Sequence, residues 1–283
     1  MTSLAGKFMS STALPRYGVL AQSEPADEIE QACESLRHLG FAVLDGGFSS
    51  AELERLRSGF DAARARALQE YGQARLRSLD EHNTIRCLLA YDKQFLKLAL
   101  NEHVHSVCKT LIGPTFILNQ QNGIINPGSE GAYNQAAYHR DMPYQHFVSS
   151  RPLAVNALFC VDDFTIENGA TKVVPASHKV EAFPSDGLIR SSEVTLSAQA
   201  GSFLLLDCMA FHCGGRNVSG KDRRGVNHVF TIGLMRQQLD IPAILGDEYS
   251  SDPAVRRLLG YDFRCPASVE AYYNERATKR GRP

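Results

Sequence analysis

Apolar positions along this chain change their period part-way through. Between Ala26 and His38, residues Ile29, Ala32, Cys33 and Leu36 recur at helical spacing and predict a helix. Gly40 can end it, because glycine accepts the left-handed cap conformation. Phe41-Ala42-Val43-Leu44 reads as a short buried strand, turned by Asp45-Gly46-Gly47. Ser49 followed by Glu52 is a capping box that opens the next helix, striped by Leu53, Leu56, Phe60 and Ala63. Residues 72–90 show no clear period, and Arg86–Ala90 reads as either a strand or a loop. Tyr91–Leu111 predicts two short helices joined near Asn101-Glu102, with Gly113-Pro114 stopping the second. From Thr115 onward the pattern becomes one of short apolar runs punctuated by Gly, Pro, Asn and Asp. They are Phe116–Gln121, Pro152–Val161, Ala170–Val174, Ser202–Leu206 and Gly225–Leu234, each predicted to be β. Asp252–Leu259 and Ala267–Thr278 return to helix.

Helices, then strands, then short helices predict an α+β fold with helices packed on a mainly β core. The expected layout is one domain over residues 1–283. It comprises an N-terminal arm (1–25), a helical support (26–114), a β core (115–235) and C-terminal helices (236–283). Composition narrows the class without changing this picture. At 43% hydrophobic and 22% charged, the 283 residues are ordinary for a globular protein. The net charge of -1 carries no clustered positive excess, so no nucleic-acid partner is expected, and Lys279-Arg280-Gly281-Arg282 reads as a solvated tail. No apolar run is long enough to span a bilayer and no secretory pattern opens the chain, so no membrane partner is expected. Seven cysteines without a CxxC argue against a disulfide framework and for a reducing cytoplasm. Oligomeric state is not legible, and a homo-oligomer stays open.

The candidate chemistry starts at Tyr138-His139-Arg140-Asp141-Met142-Pro143-Tyr144-Gln145. At a strand end, His139 and Asp141 project to one side and Arg140 to the other. His212 stands at the edge of another β segment, before Gly214-Gly215. Two imidazoles and one carboxylate on one face, with other positions open, are the ligand set of non-haem iron(II) oxygenases. Taken alone, His139 reads equally as a strand-end histidine bonded to Asp141. Arg223-Arg224 follows, and an arginine fork binds a carboxylate bidentately. Taken alone, that pair reads as a solvated loop beside Lys221 and Asp222.

Further motifs stand around these residues. They are Leu39-Gly40-Phe41-Ala42-Val43-Leu44-Asp45, Glu167-Asn168-Gly169-Ala170, Val173-Val174-Pro175-Ala176-Ser177-His178-Lys179, Ala200-Gly201-Ser202 and Asn217, with Arg223 eleven residues after His212. Together they resemble the phytanoyl-CoA dioxygenase family of iron(II)/2-oxoglutarate oxygenases over about residues 28–235. The resemblance implies a double-stranded β-helix, a jelly-roll core. It implies Fe(II) on His139, Asp141 and His212, 2-oxoglutarate and O2 as co-substrates, and ascorbate as an optional reductant. Arg223 would anchor the distal carboxylate of 2-oxoglutarate, with Arg224 the competing anchor because strand alternation sends only one inward. Asn156, and Gln121 or Asn119 on the preceding strand, are co-substrate or substrate donors by the same resemblance; a cross-strand polar pair explains them equally. Tyr144, Gln145 and His146 are candidate substrate contacts in a loop whose surface position also explains its polarity. His178 reads as structural, and Cys213 faces away from His212. Leu158 departs from relatives that carry Trp on that strand.

The implied reaction is oxidation of an unactivated C–H bond of a small or medium-sized metabolite, such as a natural-product intermediate, with release of succinate and CO2. Asp141 favours hydroxylation or a related oxidation, since halogenating relatives replace this carboxylate with a small residue. Two rivals remain at this level: a metal-dependent oxygenase or isomerase that does not use 2-oxoglutarate, and a non-catalytic metabolite-binding jelly roll.

Overall fold

The structure, a computed structural model, describes residues 14, 16–19, 24–128 and 133–280. Most of the expected arm over 1–25 lies outside these residues, as does part of the basic tail. Helix α1 (Glu28–His38) starts where Asp27 accepts the Glu30 amide, and it ends at Leu39. Gly40, at φ +87°, turns the chain into strand β1 (Phe41–Asp45). Helix α2 (Ser50–Tyr71) opens on the expected capping box, with Ser49 and Glu52 each bonding the other's backbone. The stretch without a clear period holds α3 (Gln73–Ser78), strand β2 (Thr84–Arg86) and a tight turn over Leu88–Ala90. Helices α4 (Leu96–Ala99) and α5 (Glu102–Ile112) divide at Asn101, whose side chain caps α5.

The β segments follow as β3 (Phe116–Asn126), β4 (Ala154–Cys160) and β5 (Thr171–Val173). After helix α6 (Asp186–Ser192) come β6 (Val194–Thr195), β7 (Ser202–Asp207), β8 (His212–Gly214) and β9 (Arg223–Ile232). Helices α7 (Ile241–Leu245), α8 (Pro253–Leu258) and α9 (Val269–Arg280) complete the described chain. β6 and β8 carry no pattern signal of their own, because two or three residues cannot display a period.

Six strands form one sheet in the order β1-β7-β4-β9-β3-β2, and β6-β5-β8 form a second. Every pairing is antiparallel, and the arrangement is the expected jelly roll with helices on one side. Strand β7 shows how the layers meet. Phe203 and Leu205 point into the helix-covered core with Leu36, Phe60, Phe95 and Val104. Leu204 and Leu206 point the other way, into the space shared with Phe164, Val173 and Leu196. Both faces are buried, so this strand reads as an unbroken apolar run.

His228 on β9 and Gln121 on β3 are paired in register and face the helices. His228 is fully buried. Its Nδ1 donates to the Ala157 carbonyl at 3.0 Å, and its Nε2 accepts from Gln121 Nε2 at 2.9 Å. Burial lowers its pKa from 6.5 to about 4. The unfolded chain therefore takes up a proton that the folded chain refuses between these values. Stability is full above pH 6.5 and falls as the pH drops to about 4, by on the order of 3 kcal/mol for this group. Denaturant unfolding at pH 7 and pH 4 should show this loss, and His228→Leu should lose less by about that amount. Equal losses in the two proteins would contradict it.

Candidate metal centre

His139 and His212 meet across two strand edges. Each amide donates to the other's carbonyl, at 2.9 and 3.0 Å, and the ring centroids lie 4.5 Å apart. Asp141 projects to the same side, its amide fixed by the Cys208 carbonyl at 2.9 Å. Its Oδ1 stands 3.8 Å from His139 Nε2 and 3.7 Å from His212 Nε2. One donor atom from each of the three residues lies within 4.8 Å of the other two.

The imidazoles are oriented the same way. Nδ1 of His139 donates to the Ala137 carbonyl at 2.8 Å, and Nδ1 of His212 to the Ala210 carbonyl at 2.9 Å. With the protons held there, both Nε2 lone pairs turn inward. Burial pushes the His212 pKa down against the pull of Asp141, which keeps the ring in its neutral, ligating form. Two imidazoles and one carboxylate, converging from one side, suit a ferrous ion.

Strand alternation separates the two arginines. Arg224 points outward and is matched: Asp162 takes its Nε and Nη2 at 3.0 and 2.7 Å, and Asp61 takes Nη1 at 2.8 Å. Hydrogen bonding to Asp162 raises its pKa further. Arg223 points inward, is 2% exposed, and lines one cavity with His139, Asp141 and His212. Its Nη2 donates to the Gly169 carbonyl at 3.1 Å, and its guanidinium lies 3.8 Å from the Phe164 ring centroid. Its Nε has no partner, and no carboxylate among the described residues makes an ion pair with it. The Tyr133 hydroxyl lies against it; burial raises that phenol while the guanidinium pulls the other way. A buried cation without a counter-ion, facing three side chains whose donor atoms converge, suits an anion.

The remaining candidates divide. Asn156 lines the same cavity, but its amide is given to Asp141 Oδ2 at 2.6 Å. Gln121 is a correction: it faces the helices and donates to the Phe95 carbonyl at 2.9 Å. The irregularity between Leu118 and Gln120 shifts the phase of β3, and one residue of shift exchanges the two faces of a strand. Asn119 sits at that irregularity, outside the cavity, and ties down the C-terminal segment through the Arg236 carbonyl and the Gln238 amide. Tyr144, Gln145 and His146 do not line the cavity either. Tyr144 is exposed, and Gln145 closes its own loop onto Arg140 and Met142. His146 packs edge-on against Phe183. Arg140 projects away as expected, yet it is buried. It donates to the carbonyls of Gln145, Ser177, Val180 and Glu181, tying those loops to the segment that carries His139 and Asp141.

Sequence reasoning missed Thr171, Tyr133 and Asn227, which line the cavity with Leu158, Ile124 and Leu206. Thr171 pairs with Gly214 on β8, so alternation along β5 directs it inward. That signal needs the pairing, which the sequence does not print. Tyr133 lies outside any periodic segment; a side chain at Gly214 would collide with its ring, 2.6 Å from the added carbon.

The family model described as Phytanoyl-CoA dioxygenase (PhyH) matches residues 36–225. An uncharacterized protein of Mycobacterium bovis is 33% identical over 251 residues, covering 87% of this chain and 91% of that protein. An iron/alpha-ketoglutarate-dependent dioxygenase of Aspergillus calidoustus, ausU, is 28% identical over 57% of this chain and 56% of its own length. Among solved structures, EctD from S. alaskensis with 2-oxoglutarate and 5-hydroxyectoine superposes with a TM-score of 0.62. It is 20% identical and covers 75% of this chain and 78% of that one. The epimerase SnoN, in complex with Fe3+, alpha ketoglutarate and nogalamycin RO, gives a TM-score of 0.56. It is 17% identical over 80% of this chain and 92% of that one.

Proposed function

The chain belongs to the phytanoyl-CoA dioxygenase family of iron- and 2-oxoglutarate-dependent oxidoreductases, and on that premise we propose that it oxidises a C–H bond of a small or medium-sized metabolite, with His139, Asp141 and His212 holding the iron. Arg223 holds the distal carboxylate of 2-oxoglutarate in this reading. The single observation that carries it is the unpaired, buried Arg223 sharing a cavity with the three converging ligands. A 2-oxoglutarate-independent enzyme has no use for that buried cation.

Bound iron with 2-oxoglutarate and O2 supplies an oxidative decarboxylation that yields succinate and CO2 and the oxidising equivalent for the C–H bond. The protein's part is positioning. His139 and His212 present their Nε2 atoms, and Asp141 a carboxylate oxygen. Arg223 compensates the co-substrate's distal carboxylate where water is excluded. Tyr133 and Thr171 line the same cavity, and in this reading their hydroxyls serve the co-substrate. Leu158, Ile124 and Leu206 form apolar walls. The described residues include no helix long and apolar enough to cross a membrane.

The test is a succinate-release screen with Fe(II) and 2-oxoglutarate over a metabolite library that includes natural-product intermediates. Succinate formed in step with an oxidised product supports the reading. Turnover of any substrate at full rate without 2-oxoglutarate would contradict it.

A further inference from the structure

Asn156 sits on β4 between Val229 and Leu206, the residues it faces on the two neighbouring strands. It is 3% exposed and lines the cavity of the three ligands. Its Nδ2 reaches Asp141 Oδ2 at 2.6 Å. The other carboxylate oxygen, Oδ1, is the one placed almost equally from the two histidine nitrogens, at 3.8 and 3.7 Å. The amide orientation is settled by chemistry. Reversing it would press two acceptor oxygens together at 2.6 Å, whereas the present orientation joins a donor to a carboxylate. Asn156 Oδ1 has no partner, so nothing else among the described residues fixes this side chain by accepting or donating at that atom.

We propose that Asn156 is a positioning residue that makes Asp141 a one-oxygen ligand. This rests on the iron reading above. A carboxylate free to rotate can offer both oxygens to one ion. Asn156 holds Oδ2 aside through a charge-assisted bond, so only Oδ1 faces the histidines. Held by one atom from each of three residues, an iron ion would leave room beside it for a chelating 2-oxo acid and for O2. A second carboxylate oxygen would take part of that room. Asn156 thus acts on the co-substrate through Asp141 and does not touch it. This differs from the direct co-substrate donor that the sequence resemblance implies.

The test uses Asn156→Leu, which keeps the shape and removes the donor, and Asn156→Ala, which leaves room if the leucine variant misfolds. Apoprotein is titrated with Co(II) under argon, with the visible absorption of the bound ion recorded and folding checked by circular dichroism. Both variants are expected to weaken Co(II) binding by about 10–100-fold. Both should also change the Co(II) spectrum, because the released oxygen enters the ion's coordination. A merely structural asparagine would lower the unfolding midpoint and leave the spectrum alone. Folded variants with the wild-type spectrum overturn the proposal, whatever their stability. Wild-type protein that binds no Co(II) overturns the iron reading itself, and these two failures are distinguishable in one titration.

Discussion

Replacing His212 with alanine is expected to abolish iron binding and reduce succinate release by on the order of 10³-fold or more, beyond the 10–100-fold that loss of a supporting hydrogen bond costs. His139→Ala should do the same. Each removes one of three donor atoms that lie within 4.8 Å of one another, and among the described residues no other His, Cys, Asp or Glu joins that group. The fold should survive. The bonds that hold the two strand edges together run between backbone atoms of positions 139 and 212, and alanine keeps both. The variants should therefore retain the wild-type circular dichroism spectrum while failing to bind the ion. Coupled turnover in either variant would remove these residues from the site.

The second large effect separates the adjacent arginines. Arg223→Ala should raise the KM for 2-oxoglutarate by roughly 100-fold, the equivalent of about 3 kcal/mol for a charge-assisted pair in a buried cavity. Arg224→Ala should leave that KM within about twofold. Its guanidinium is already engaged by Asp162 and Asp61 on the outer side, and its loss should appear as reduced stability instead. Arg223→Lys tests the fork as well as the charge, because an ammonium cannot make two parallel bonds to one carboxylate. It should recover only part of the affinity. Steady-state kinetics with varied 2-oxoglutarate at saturating Fe(II) reads all three variants. The opposite ranking of Arg223 and Arg224 would move the anchor to the outer face.

Different parts of this arrangement were legible to different degrees. The convergence of His139 and Asp141 could be read because they are two residues apart, so it is local. His212 required only that its β segment reach the same edge. The choice between Arg223 and Arg224 depended on the phase of β9; the resemblance favoured Arg223 but left Arg224 open, and only the fold shows which side chain enters the cavity. No comparable anchor existed for β3, where the shift near Leu118 placed Gln121 beside His228 instead of in the cavity. Tyr133 has no periodic neighbours, so only tertiary packing against Gly214 and Arg223 could reveal it. Asn156 was visible as a polar residue in an apolar strand, yet its partner is a side chain fifteen positions earlier, across a loop. The α+β architecture was legible because the apolar period changes at Thr115. In the smaller sheet β5 was legible within Ala170–Val174, whereas β6 and β8 were not, since two or three residues cannot display a period.

The most direct measurement is an anaerobic titration of the Fe(II)-loaded protein with 2-oxoglutarate, followed by visible absorption. A 2-oxo acid chelating ferrous iron through its carboxylate and keto oxygens produces a charge-transfer band. Wild-type protein should develop that band to saturation at one equivalent of iron per chain, and His212→Ala should show none. A wild-type protein that stays colourless, or a His212→Ala protein that develops the same band, would contradict the account.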